Sequence, residues 1–166
     1  MSTRLTATDV TICACEEDHL AAITTIYAHH VLHGLASFEI EPPSEDDMRR
    51  RRLDIVSRNY PYLVAECAGE VVGYAYASPY RLRPAYRHTA ENSVYIRPAW
   101  AGRGIGRQLI SAPLAECEAR GLRQIVAASA TARIAPRSPS IRASAFARLA
   151  FSIQSGSNLI AGSTAC

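Results

Sequence analysis

Apolar positions along this chain keep two rhythms, and the switches between them lay out its elements. Val10–Ala14 reads as a short first strand. Asp18 then stands as an N-cap, and Leu20, Ile23, Tyr27, Val31 and Leu35 recur at helical spacing. Pro42-Pro43 closes an extended piece. Ser44, with Asp47 three residues on, has the pattern of a capping box and predicts a second helix through Arg58. Tyr62–Ala68 and Val71–Ser78 are β-rich runs around Gly69-Glu70, which predicts a hairpin. A polar loop, Arg81–His88, precedes a strand at Ser93–Arg97 that Pro98 stops. Gly102–Arg107 then feeds a helix ending near Gly121, and Leu122–Ala128 is one more strand.

The order β-α-α-β-β-β-α-β is a mixed α/β layout. From Ser129 onward the pattern changes. That stretch is rich in Ala, Ser and Arg, keeps neither period, and is interrupted by Pro136 and Pro139. Only Ile141–Phe151 predicts a weak helix. Residues 1–128 therefore read as one α/β domain and 129–166 as an atypical tail. On that reading the sheet ends at Leu122–Ala128 with an apolar edge left open.

Composition narrows the class. A chain of 166 residues with 48% hydrophobic residues is enough for one domain with a core. It excludes a disordered tail or a disulfide miniprotein. No apolar run reaches membrane-spanning length and Met1–Val10 has no signal-peptide pattern, so a cytoplasmic protein without a membrane partner is expected. The five cysteines form no CxxC pair and read as scattered reduced thiols.

Charge is unevenly spread. All 18 basic residues are arginine; up to Glu118 there are 12 against 15 acids, and from Ala119 on there are 6 and no acid. A basic tail is one signature of nucleic-acid binding. The four consecutive arginines Arg49–Arg52, however, splay around a helical turn and read as a solvated surface, so no nucleic-acid partner is expected. His29 and His33 have the i, i+4 spacing of a metal pair but no third ligand is apparent, so no metal is expected.

The sharpest local signal is Val94-Tyr95-Ile96-Arg97-Pro98-Ala99-Trp100-Ala101-Gly102-Arg103-Gly104-Ile105-Gly106-Arg107. A strand feeds a loop with alternate glycines, and the loop opens a helix. Such a turn lets backbone N–H groups approach a pyrophosphate, and Arg103 and Arg107 add charge beside it. A P-loop is excluded because the chain has no lysine. A dinucleotide fingerprint fits poorly, since position 107 is Arg and no acid follows Glu118. A glycine turn that only closes a loop stays open as an alternative.

This strand–glycine loop–helix unit, late in such a layout, resembles the acyl-CoA site of the GNAT acetyltransferases. Ala36-Ser37-Phe38-Glu39-Ile40-Glu41-Pro42, Gly73-Tyr74-Ala75-Tyr76-Ala77 and Thr89-Ala90-Glu91-Asn92-Ser93-Val94-Tyr95-Ile96 resemble the phosphinothricin/methionine-sulfone branch. The resemblance covers about Val10 to Ala128. It implies a mostly antiparallel central sheet flanked by helices, with acetyl-CoA as co-substrate and a small amino-acid-like amine as acceptor. Backbone groups of Val94, Tyr95 and Ile96 would hold the pantetheine arm, and Gly102, Arg103, Gly104, Ile105, Gly106 and Arg107 the pyrophosphate. Glu91 would serve as base, with Glu41 as second carboxylate. Arg81, Arg83 and Tyr86 would hold the acceptor, since guanidinium groups grip oxyanions through paired hydrogen bonds. A homodimer is implied if the C-terminal region is family-like.

The chain departs from that pattern in three places. Ala101 replaces the usual Gln or Arg at the start of the glycine motif, and Pro113 falls inside the following helix. After Val126 the family's closing helix and strands are not recognisable. A shifted reading frame would explain this: allowed codons for Ser157–Cys166, read out of frame, spell Asp-Arg-Trp-Leu-Asp-Ser-Val, close to the family's ending. The alternative to an active transferase is a catalytically impaired CoA-binding remnant or a basic-tailed binding protein.

Overall fold

A computed structural model describes residues 9–34, 37, 39–129, 147–152 and 160–163. A single sheet runs in the order β1 (Val10–Ala14), β2 (Tyr62–Cys67), β3 (Glu70–Pro79), β4 (Thr89–Ile96), β5 (Gln124–Ser129), β6 (Ala147–Ser152) and β7 (Ile160–Ser163). Every neighbouring pair is antiparallel except β4 and β5, which are parallel. A parallel pair needs a crossover, and α3 (Ile105–Ala119) supplies it.

The strand side chains alternate between two helical layers. On one face, Tyr62, Val64, Tyr74 and Tyr95 pack on Leu20, Ile23, Ile26 and Tyr27 of α1 (Leu20–His33) and on Met48 and Ile55 of α2 (Glu45–Ser57). On the other, Ala65, Val72 and Ala75 meet Ile105 and Leu109, while Ala77, Ala90 and Ile125 meet Leu114 and Cys117. Small residues on this second face let α3 lie close. A Cβ on Gly73 would stand 3.0 Å from Leu109 Cδ1 and from the Tyr95 carbonyl oxygen. Helix α3 runs on through Pro113, which is buried.

Most predicted elements are present, with shifted ends. Ser44 caps α2 and shares a reciprocal capping box with Asp47, as predicted. Asp18 does not cap α1; it lies in a single 3-10 turn, Glu17–His19, and His19 precedes the helix. That turn is fixed by the Glu16 backbone N–H, which donates to His19 Nδ1 at 2.8 Å. The β2–β3 turn centres on Ala68 and Gly69, both at positive φ, one residue earlier than the sequence pattern implied. Strand β4 begins at Thr89 rather than Ser93, because pairing with β3 carries extended backbone back through a polar stretch.

The weak helix expected over Ile141–Phe151 is corrected for its described part. Ala147–Ser152 is a strand, paired antiparallel along the full length of β5. Long-range pairing outweighs a weak local preference here. The edge of β5 is therefore covered, and the expectation of an open edge there is corrected too. Residues 141–146 lie outside the described residues.

Candidate functional site

The β4–β5 pair holds together only at one end. Pairing runs from Thr89↔Gln124 to Asn92↔Ala127 and stops, while β4 continues to Ile96 and β5 to Ser129. The two strands part beyond Asn92. The direction of the freed backbone follows from the β3 side. Tyr80 N–H donates to the Thr89 carbonyl at 3.3 Å, and Arg97 N–H to the Val72 carbonyl at 2.9 Å. In an antiparallel ladder the bonds alternate, so with unbroken register between these points Glu91, Ser93 and Tyr95 bond to β3. Ala90, Asn92, Val94 and Ile96 then turn their N–H and C=O groups the other way. Ala90 and Asn92 face β5. Val94 and Ile96 face the gap.

One of the gap-facing groups is engaged. His30 of α1 donates from Nε2 to the Ile96 carbonyl oxygen at 2.8 Å. A carbonyl can only accept, so this contact sets the proton on Nε2. The His30 ring also packs on Tyr95, 5.6 Å between centroids. Asn92, at the point of divergence, is 4% exposed and its Oδ1 has no partner among the described residues.

The glycine loop borders the same end of β4. Pro98–Trp100 forms a short turn, and Gly102 and Gly104 both take left-handed backbone, φ 75° and 83°. Gly104 is the N-cap of α3, and no side chain caps that helix. A Cβ added at Gly102 would meet nothing within 4 Å, so the loop faces open space. At Gly106 the same atom would approach Ile96 Cδ1 to 3.1 Å, which ties the first helical turn to the gap. Arg103 lies over the Trp100 ring at 4.6 Å and donates to the Ala99 carbonyl at 3.1 Å. Arg107 is exposed, and its backbone N–H donates to the Gly104 carbonyl. Helix-start N–H groups without a side-chain cap, flanked by two arginines, have the chemistry to seat an anion.

Glu91 lies between Ser78 of β3 and Val126 of β5 in register, at the paired base of the gap. By strand alternation its side chain shares the α1/α2 face with Tyr95. That face carries a polar group the sequence pattern did not single out. Glu39 accepts from the Tyr27 hydroxyl at 2.8 Å and from Arg51 through both oxygens, at 2.7 and 3.1 Å. Arg51 and Tyr27 together hold the Glu39 carboxyl below its ordinary range.

The remaining predicted residues take different places. Glu41 is exposed, so Glu39 is the carboxylate of that segment that meets Arg51. Arg81 is exposed and lies beside the Tyr80 and Tyr86 rings, 5.3 and 5.6 Å from their centroids. Arg83 is exposed and precedes the short turn Pro84–Tyr86. Arg49 and Arg50 pair with acids of α2, as a solvated surface would. Arg52 does not fit that picture: it is 13% exposed and donates to the Cys15 carbonyl. Arg51 stays exposed but reaches across to Glu39 and lies 5.9 Å from the Tyr27 ring centroid. Equal spacing along a charged run could not reveal which arginine turns toward the sheet. His29 and His33 rings sit 4.8 Å apart, and among the described residues no three His, Cys, Asp or Glu are grouped to hold a metal. No described helix is long and apolar enough to cross a membrane.

A parted parallel strand pair beside a glycine-opened helix is a distinctive arrangement. The model of the acetyltransferase (GNAT) family matches residues 28–141. This chain belongs to the GNAT family. It is 50% identical over 120 residues to a phosphinothricin N-acetyltransferase of Alcaligenes faecalis, covering 69% of this chain and 61% of that protein. It is 36% identical to the L-methionine sulfoximine/L-methionine sulfone acetyltransferase of Salmonella typhimurium over 71% of this chain and 69% of that one. Among solved structures, a GNAT phosphinothricin acetyltransferase from Sinorhizobium meliloti in complex with AcCoA superposes with a TM-score of 0.70 at 43% identity. That match covers 72% of this chain and 65% of the other. The matched part spans 61% and 64% of the first two curated relatives' lengths. The family match ends at residue 141, past the Ala128 boundary, and the rest of the tail does not match.

Proposed function

We propose that this protein transfers an acetyl group from acetyl-CoA to the primary amine of a small amino-acid-like acceptor. The gap beyond Asn92 supports this most directly. It presents the Val94 and Ile96 backbones beside an anion seat at Gly102–Arg107, the layout a nucleotide-bearing thioester requires. The names of the Alcaligenes, Salmonella and Sinorhizobium relatives, for phosphinothricin and methionine sulfone or sulfoximine acetylation, support this acceptor class.

The residues fit acetyl-CoA as a co-substrate. The α3 N–H groups with Arg103 and Arg107 hold the pyrophosphate. Gap-facing groups of Val94 and Ile96 hold the pantetheine arm, and their N–H groups can stabilise charge on the thioester oxygen. With Ala101 where the family usually has Gln or Arg, backbone groups carry most of the phosphate contact.

Glu91 takes the proton of the acceptor ammonium, directly or through one water, and so frees the amine lone pair. The new C–N bond forms as the C–S bond breaks, and the CoA thiolate leaves, taking up the second proton shed by the acetylated nitrogen to depart as the thiol. Arg81, backed by two tyrosine rings, is placed to attract an anionic acceptor toward the sheet. If residues 129–166 are the product of a shifted frame, transfer by the chain as written is impaired and acetyl-CoA binding persists.

A thiol-release assay tests the proposal: purified protein, acetyl-CoA and a panel of amino-acid analogues including phosphinothricin and methionine sulfone. Acceptor-dependent release supports it. Salt-sensitive retention on DNA, with no thiol release and no acetyl-CoA binding, would instead favour the basic-tailed binding protein.

A further inference from the structure

Between α2 and the sheet lies a cavity of about 260 Å³, on the face that Glu91 shares. Drug-sized ligands usually occupy clefts of roughly 300–1,000 Å³, so this one suits a smaller, amino-acid-sized group. Its walls include Tyr27, Tyr62, Tyr74 and Tyr76, with Arg51 and Ser78. Tyr62, Tyr74 and Tyr76 stand as near-parallel plates, with centroids 5.1 to 6.3 Å apart. Ser78 is the register partner of Glu91, so the cavity reaches the neighbourhood of the proposed base.

One polar atom in this wall is out of place. The Tyr27 hydroxyl and the Arg51 guanidinium are committed to Glu39. The Tyr74 side chain is fully buried, and its hydroxyl has no hydrogen-bond partner among the described residues. Leaving a buried hydroxyl unpaired costs about 1–3 kcal/mol, and such groups in native proteins call for an explanation. Burial also pushes the Tyr74 hydroxyl well above its ordinary pKa, so it stays protonated and able to donate.

We infer that this cavity is the subsite for the oxygen-bearing side chain of the acceptor, and that the Tyr74 hydroxyl donates a hydrogen bond to that oxygen. The inference rests on the acetyl-transfer reading above. An oxygen that only accepts, as in a sulfone, sulfoximine or phosphinate, suits an unpaired donor. The tyrosine plates suit the methylene chain that carries it. The amine at the other end then lies toward Glu91. A thioether side chain offers no comparable acceptor and would leave Tyr74 unpaired.

Tyr74→Phe isolates the claim, because it deletes one oxygen that has no hydrogen-bond partner among the described residues. The variant should melt at or above the wild-type temperature and bind acetyl-CoA with unchanged affinity. Wild-type kcat/KM should favour methionine sulfone over methionine, and Y74F should cut that preference about tenfold, chiefly through KM. A folded Y74F with unchanged preference overturns the subsite alone. Methionine sulfone amide separates the two oxygen-bearing ends of the acceptor: a Y74F defect that persists on the amide supports the side-chain assignment. A defect that vanishes there means Tyr74 reads the α-carboxylate and overturns it. A wild type that acetylates no acceptor overturns the transfer reading, and the subsite falls with it.

Discussion

His30 of α1 donates from Nε2 to the Ile96 carbonyl oxygen at 2.8 Å, so a helix side chain fills a place that a sheet neighbour would otherwise take. The bond spans 66 positions in sequence and fixes the peptide whose strand has just lost β5 as a partner. His30→Ala should lower stability by about 1 kcal/mol, the usual net worth of such a bond. It should also raise KM for acetyl-CoA several-fold, because the end of β4 is then free to shift. Steady-state kinetics with a melting curve checks both, and an unchanged KM would show that the contact only staples the fold.

Glu91 stands where β3, β4 and β5 are still paired, beside the point of divergence. Glu91→Gln keeps the shape and removes the base. General-base groups typically contribute about 10²–10⁴-fold, so kcat should fall by at least about 100-fold. Acetyl-CoA affinity should hold. A Gln variant within a few-fold of wild type would exclude Glu91 as the base.

Acid stability should report on Glu39. Hydrogen bonds from Arg51 and Tyr27 lower its folded pKa below the ordinary 4.5. Its contribution is therefore present above the unfolded value and is lost as pH falls through the folded one. The stability gap between wild type and Glu39→Gln should stay constant near neutral pH and narrow below about 4.5. Chemical denaturation at a series of pH values measures it. A gap independent of pH would mean that the carboxylate's charge does not matter to the fold.

Residues 129–166 carry a test that needs no protein. We account for their Ala-, Ser- and Arg-rich composition by a shifted reading frame, since acids stop at Glu118 and a family-like ending is recoverable out of frame. Resequencing the coding DNA should find an inserted or deleted base near codon 126. An intact frame there, with unambiguous reads, contradicts that account.

Local chemistry made much of this molecule readable in advance. Ser44 and Asp47 announced their capping box, and the alternate glycines from 102 to 106 announced a loop that opens α3. What depended on distant pairing was hidden. Nothing near Ala147 signals that it will join β5, and no motif marks Asn92 as the place where β4 and β5 part. The pairing of Arg51 was equally invisible, because its partner Glu39 sits 12 residues away, outside the helix that carries it. No motif singled out His30, whose role emerges only when the fold sets its ring against Ile96.

Calorimetric titration of the purified chain with acetyl-CoA, run beside a Gly104→Val variant, tests the central claim most directly. Gly104 holds φ 83° at the head of α3, a conformation that a β-branched residue resists, so the variant should distort the seat for the pyrophosphate. The account predicts saturable one-to-one binding by the wild type that weakens with added salt, and little or none by G104V. No heat from the wild type at millimolar acetyl-CoA, or equal binding by both proteins, would contradict it.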